Sequence, residues 1–252
     1  MKSFILILRF TPIVLCLMFA SAISAADEIR IAVASNFFGA MKVLAYGFER
    51  DTNHRVVLIP GSTGKHYAQI VNGAPFDALF AADSERSELL DSQGLIEPSS
   101  RFTYAIGRLV LWSVLENIID SEGEIIAEGD FRYLAIANPK LAPYGKAAEE
   151  VIRAKGAWAA IQGRLVRGEN IAQTFQFVSS GNAELGFVAY SQIVKLGEVV
   201  KGAYWSVPEN LYSPIEQQAV LLTNNEVARA FLVYVKSDAG LEIIQSFGYG
   251  TP

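Results

Sequence analysis

Apolar and polar positions follow two rhythms along this chain, and the switches between them mark its elements. Ile29-Arg30-Ile31-Ala32-Val33-Ala34 alternates and then becomes wholly small or apolar, the pattern of a partly buried parallel strand. Phe37, Met41, Leu44, Ala45 and Phe48 follow at spacings of three and four, which predicts a helix capped by Ser35 or Asn36. Val56 to Ile59 is a second extended run, Pro60 to Lys65 a tight glycine turn, and Tyr67, Ile70 and Val71 fall at helical spacing. Asp77 to Ala82 predicts a third buried strand, and Asp83 to Ser92 a helix that stops near Gly94. Strands and helices alternating in this way imply a parallel sheet with right-handed crossovers.

The second half repeats the theme. Leu109 to Leu115 predicts a long apolar strand, Gly123 to Gly129 a loop or short helix, and Tyr133 to Ala137 another buried strand. Ala147, Ala148, Val151 and Ile152 mark a helix ending at Gly156, and Ile171, Phe175 and Val178 form an apolar stripe that stops at Gly181. Leu185 to Ala189 is a strand, Ala203 to Val207 carries the chain back, Gln217 to Leu222 is a further strand, and Val227 to Gln245 predicts one long helix. The pattern suggests two α/β lobes, joined near Tyr104 to Gly107 and again between Ala189 and Tyr212, with four helix starts facing the cleft between them.

Composition narrows the setting. The chain opens with Lys2 and Arg9, runs uncharged from Phe10 to Ala26 and ends that stretch in small residues, which predicts a secretory signal peptide over residues 1–26. The run is shorter than the roughly 20 residues a membrane span needs. Cys16 is the only cysteine, so the exported form has no disulfide, no thiolate nucleophile and no cysteine-based metal site. With 51% hydrophobic residues, a packed core must stabilise the fold. The balance of 21 basic and 26 acidic residues includes two basic residues within the signal peptide, so export makes the charge more negative still. No basic stripe exists to neutralise phosphates, which argues against nucleic acid as a partner. A small anion stays compatible, because backbone donors at short range outweigh screened distant charge.

Candidate chemistry centres on Pro60-Gly61-Ser62-Thr63-Gly64-Lys65. A glycine turn between strand and helix leaves the first backbone N–H groups of the helix without acceptors, points the positive end of its dipole at one place and adds two hydroxyls. Such a turn suits an anion. Comparable junctions occur at Ser35-Asn36, at Ala142-Pro143-Tyr144-Gly145 and at Gly168-Glu169-Asn170-Ile171. All supply neutral donors, and each hydrogen bond to a charged acceptor is worth on the order of 1.5 to 3 kcal/mol. Half a dozen could hold a dianion without arginine. Donors alone favour a fully ionised oxyanion.

Several stretches carry a resemblance: Ala34-Ser35-Asn36-Phe37, Gly61-Ser62-Thr63-Gly64-Lys65, Gly73-Ala74-Pro75-Phe76-Asp77, Ala81-Ala82-Asp83, Ala137-Asn138-Pro139 with Ala142-Pro143-Tyr144-Gly145, Gly156-Ala157-Trp158 and Gly186-Phe187-Val188-Ala189. In this order, and over essentially the whole exported chain, they resemble the molybdate-binding periplasmic proteins of ABC importers. The resemblance implies a two-lobed α/β fold of the type II periplasmic binding proteins, each lobe a mostly parallel sheet flanked by helices, with two crossover strands. Residues 27–107 and 208–252 would form lobe I and residues 108–207 lobe II. It further implies a periplasmic monomer that binds molybdate or tungstate as its ligand, without a cofactor or free metal cation, and delivers it to a membrane permease.

Carried over residue by residue, the resemblance assigns ligand binding to Ser35 and Asn36, to Ser62 and Thr63, to Tyr144, and to Ile171 through its backbone N–H. The family commonly shows two serines where Ser62 and Thr63 stand, so Thr63 departs from the pattern but keeps the hydroxyl. Another branch uses a tyrosine after a Gly-Ile-Val strand; that position is Ala189 here, with Tyr190 displaced by one, so Tyr144 is favoured. Sulfate or another tetrahedral oxyanion is the alternative ligand.

Enzyme readings fit less well. Ser62-Thr63-Gly64-Lys65 spells S-x-x-K and Ser180-Gly181-Asn182 spells S-x-N, but no Lys-Thr-Gly follows. A P-loop would need a longer glycine turn and a hydroxyl where His66 stands. His54 and His66, the only histidines, are expected on the surface of a turn and a helix, and offer neither a serine-protease triad nor a zinc site.

Overall fold

A computed structural model describes residues 26–195 and 198–252. Nearly all of the expected signal peptide, with Cys16, lies outside the described residues.

The chain runs β1 (Glu28–Ala34), α1 (Phe38–Thr52), β2 (Arg55–Gly61), α2 (Thr63–Val71), β3 (Ala78–Phe80), α3 (Glu85–Ser92) and β4 (Phe102–Gly107). It continues through β5 (Leu109–Ser113), α4 (Ile125–Glu128), β6 (Leu134–Ala137), α5 (Pro143–Ala154), α6 (Trp158–Ile161), β7 (Leu165–Gly168), α7 (Ile171–Ser179), β8 (Leu185–Ala189) and α8 (Tyr190–Ile193). A small hairpin, β9 (Val194–Lys195) and β10 (Glu198–Val199), precedes β11 (Ala203–Ser206) and β12 (Ile215–Leu221). Helices α9 (Glu226–Val235) and α10 (Asp238–Ser246) end the ordered elements.

Two five-stranded sheets result, ordered β2-β1-β3-β12-β4 and β11-β5-β8-β6-β7. This is the two-lobed architecture of a periplasmic binding protein. Each sheet is parallel on the side built from strand-helix units and antiparallel where a crossing strand enters: β1 pairs in parallel with β2 and β3, whereas β12 runs against β3 and β4. In the second sheet β6 pairs in parallel with β7 and β8, and β5 runs against β8 and β11. The chain leaves the first sheet between Gly107 and Leu109 and returns between Ser206 and Ile215.

Alternation along β1 divides the core of the first lobe. Ile29, Ile31 and Val33 pack with Phe37, Met41, Leu44, Phe80 and Phe231 on one face, while Ala32 joins Ile70, Leu79, Leu90 and Val220 on the other. In the second lobe Leu134 and Ile136 of β6 face α5, whereas Ala135 packs with Trp112, Val178 and Val188. The former cluster extends to Ala34 and Ala82 of the first lobe, so apolar contact crosses the cleft.

Four expectations need correction. Ser35 and Asn36 do not cap α1: Phe37 occupies the N-cap position, and residues 35–37 form a turn closed by the Phe37 N–H on the Ala34 carbonyl. Phe37 is fully buried against Phe80, Tyr104 and Tyr249, and this anchoring delays the helix. Val227 to Gln245 is two helices, because Ser237 breaks the run and caps α10 by accepting from the Gly240 N–H. The strand from Leu109 stops at Ser113, with Val114 and Leu115 exposed. His66 is buried rather than on the surface, its ring against Phe76 and the Gly61 backbone. Strand β7 had no forecast at all; it is short and half-exposed, which weakens the alternation.

Candidate functional site

Parallel pairing sets the level at which each strand ends. Ala34 of β1 is in register with Gly61 of β2, so Ser35 and Ser62 leave the first sheet side by side, and the Ser35 N–H donates to the Gly61 carbonyl. Ala137 of β6 is likewise in register with Gly168 of β7, which brings the starts of α5 and α7 together in the second lobe. The carboxyl ends of the two parallel halves face one another, where open α/β sheets place their ligands.

Between them lies a small, tight cavity. Ser35, Asn36, Ser62, Thr63, Tyr144 and Ile171 all line it, with Ala34, Gly61, Ala82, Ala142 and Pro143 completing the wall. No charged side chain contributes to this lining. Among the described residues, the backbone N–H groups of Asn36, Thr63, Tyr144 and Ile171 meet no acceptor in the protein. For Thr63, Tyr144 and Ile171 the reason is position, since each stands in the first turn of a helix. Pro143, at the first position of α5, has no N–H to satisfy.

The side chains divide differently from the sequence expectation. Ser62 Oγ is buried without any hydrogen-bond partner. Thr63 Oγ1 is already used, accepting from the Ala82 N–H at 2.9 Å. Ser35 Oγ accepts weakly from the Ala172 N–H of the opposite lobe at 3.4 Å and keeps its own proton to donate. The Asn36 amide turns away from the cavity: Nδ2 donates to Gln217 Oε1 at 2.8 Å and to the Tyr249 hydroxyl at 3.0 Å. The Tyr144 hydroxyl points to Gln217 Nε2, at 3.4 Å. Asn36 and Tyr144 therefore offer the cavity their backbones.

Several closures hold the lobes together. The Gly64 N–H donates to the Leu141 carbonyl at 2.8 Å, Ser191 Oγ donates to the Asn36 carbonyl at 3.2 Å, and the Arg86 guanidinium reaches the Lys140 carbonyl at 3.2 Å. Burial raises the hydroxyl pKa of Tyr104, Tyr144 and Tyr249, so all three stay protonated. Asp83, beside the cavity wall, pairs with Arg86, yet burial outweighs that partner and raises its pKa. Lys65 is exposed, and Ser62 Oγ lacks a partner, so no base engages the serine of the S-x-x-K stretch.

Gln217, Tyr249, Tyr104 and Ser191 escaped sequence reasoning. Gln217 left little trace, because it stands within a polar run, Glu216-Gln217-Gln218, ahead of the apolar end of β12. Tyr249 left none.

The sequence profile of the bacterial extracellular solute-binding protein family matches residues 29–250. The molybdate-binding protein ModA of Azotobacter vinelandii is 47% identical over 228 residues, covering 89% of this chain and 90% of that protein. ModA of Rhodobacter capsulatus is 42% identical over 232 residues, covering 90% of each. The solved structure of the periplasmic molybdate-binding protein of A. vinelandii superimposes with a TM-score of 0.87 at 41% identity, over 89% of this chain and 99% of that one. These relatives are binding proteins rather than enzymes. With matched sequence over about nine-tenths of its length and the same two-lobed fold, the chain belongs to the bacterial extracellular solute-binding protein family and is of the ModA type.

Proposed function

We propose that this protein captures molybdate or tungstate between its lobes in the periplasm and presents it, as a non-catalytic monomer, to the permease of an ABC importer. One observation carries the reading: four unpaired backbone N–H groups and the unpartnered Ser62 hydroxyl, from helix starts in both lobes, line a single cavity without a charged side chain. Ser35, Asn36, Ser62, Tyr144 and Ile171 donate to the oxyanion, the second and the last two through backbone N–H groups, while Thr63 adds its N–H and uses its hydroxyl to brace the wall. Short bonds from fixed directions replace the water shell of the ion. Because donors come from both lobes, binding favours the closed form, and closure is what the permease reads.

The relatives' names support molybdate in particular. Physical chemistry adds a second constraint. Phosphate carries a proton near neutral pH and needs an acceptor, and only serine hydroxyls that the ion also needs as donors could supply one, so it is disfavoured. Sulfate carries the same charge as molybdate, so its rejection rests on cavity size.

Parallel calorimetric titrations with molybdate, tungstate, sulfate and phosphate test the reading. Molybdate and tungstate should bind, sulfate weakly and phosphate not at all. Ligand at a hundred times its Kd adds about 2.7 kcal/mol of stability, which for a chain of this size raises Tm by roughly 5–10 °C. Absence of heat and of any thermal shift with all four ions would refute it.

A further inference from the structure

We infer that Gln217 is the positioning residue that couples the binding turn at Asn36 to closure of the second lobe. It stands on β12, a strand of the first lobe, and is fully buried. The register of β12 on β4 shifts between Gln217 and Gln218, an irregularity of the kind that re-aims a side chain.

The Gln217 amide is engaged at both ends. Its Oε1 accepts from Asn36 Nδ2 at 2.8 Å and from the Tyr104 hydroxyl at 3.1 Å. Two donors on the oxygen leave Nε2 facing the other way, toward the Tyr144 hydroxyl of α5 at 3.4 Å. One side chain therefore grips a turn of the first lobe and reaches a helix start of the second. Gly107, the last residue of β4 before the chain crosses over, makes room for this reach: a Cβ there would lie 2.3 Å from the Tyr144 hydroxyl oxygen and 2.9 Å from Gln217 Nε2.

Asn36 is held from further sides as well. The Tyr249 hydroxyl lies 2.8 Å from both the Asn36 carbonyl and Ser191 Oγ, and Ser191 belongs to α8 of the second lobe. A buried amide with several partners has few alternatives. The result is that the direction of the Asn36 N–H, which lines the cavity, is fixed by the same residue that senses whether α5 has closed.

This inference rests on the oxyanion-binding reading, and its test separates the two. Molybdate association and dissociation are followed by stopped-flow fluorescence for wild type, Gln217→Leu, Tyr144→Phe and the double variant, alongside melting without ligand. Tyr144→Phe keeps the backbone N–H at the cavity and removes only the arm across the cleft. It should speed dissociation about tenfold with little change in association, the size of one modest hydrogen bond. Gln217→Leu should speed it further, and the double variant should be no worse than Gln217→Leu, because both changes cut one connection. If Gln217→Leu proves too unstable to purify, the dissociation rate of Tyr144→Phe decides alone. Wild-type rates in Tyr144→Phe, or fully additive losses in the double variant, would overturn the inference while leaving the binding reading intact. A wild-type protein that binds none of the four ions overturns both.

Discussion

The backbone N–H of Gly64 donates to the carbonyl of Leu141 at 2.8 Å, joining the first turn of α2 in one lobe to the loop before α5 in the other. Such an approach of main chain to main chain leaves little room for a side chain. A Cβ at residue 64 would lie 3.0 Å from both the Cα and the carbonyl oxygen of Leu141.

Substitution at Gly64 should therefore act on the closed form only. In the open form Gly64→Ala adds helix propensity, worth up to about 1 kcal/mol, so unliganded melting should hold or rise. Closure is obstructed, so affinity for molybdate should fall about tenfold, near 1.4 kcal/mol, and Gly64→Val should lose more. Calorimetry beside melting curves checks both signs. Unchanged affinity in Gly64→Val would show that this contact does not gate closure.

Ser62 and Thr63 adjoin in sequence but should separate in experiment. Ser62 Oγ has no partner, so Ser62→Ala removes a buried unpaired hydroxyl and should leave the unliganded protein as stable as before, or slightly more so. Its cost falls on the ligand, about 10- to 100-fold in affinity for one charge-assisted hydrogen bond. Thr63→Val instead strips the acceptor from the Ala82 N–H and should cost about 1–3 kcal/mol of stability, with a much smaller effect on affinity. Paired urea and calorimetric titrations would expose a reversal of the two.

The contrast shows where sequence stops being informative. That a strand, glycine turn and helix start meet at Ser62 was legible, because the switch from period two to period 3.6 is local. Which atoms of Asn36 and Tyr144 face the cavity was not. Asn36 takes its orientation from Gln217, 181 residues away, and Tyr144 meets the same residue at a separation of 73. No pattern within a window of one element encodes those partners. The lobes themselves were readable from their strand-helix alternation, whereas the helix break at Ser237 was masked by apolar spacing that continues through Phe231, Val235 and Ile244.

Ser237 provides a control far from the cleft. Its hydroxyl caps α10 by accepting from the Gly240 N–H at 3.2 Å, and Gly240 lies too close to the Val235 carbonyl for a longer residue to help. Ser237→Ala should lower stability by about 1 kcal/mol without altering molybdate affinity. A loss of affinity there would mean that α10 communicates with the site, contrary to the local role assigned to the cap.

His66 gives the protein a predictable response to acid. Its ring is buried against Phe76, Nε2 has no hydrogen-bond partner, and Nδ1 lies 3.2 Å from Gln69 Oε1. Desolvation lowers its folded-state pKa below the ordinary histidine value, and the Gln69 contact only partly opposes this. The unfolded chain therefore binds a proton at a pH where the folded chain does not. Stability from this group is present above the unfolded pKa of about 6.5 and is lost as pH falls from there toward the lower folded value. Asp51 and Asp120, whose pKa values are lowered, titrate below this window and do not mimic it. Asp83 has the opposite sign, since its raised pKa makes the folded form the better proton binder on acidification. Urea midpoints between pH 7.5 and pH 5 should decline in the wild type and decline less in His66→Gln. Equal slopes for the two proteins would place the acid sensitivity elsewhere.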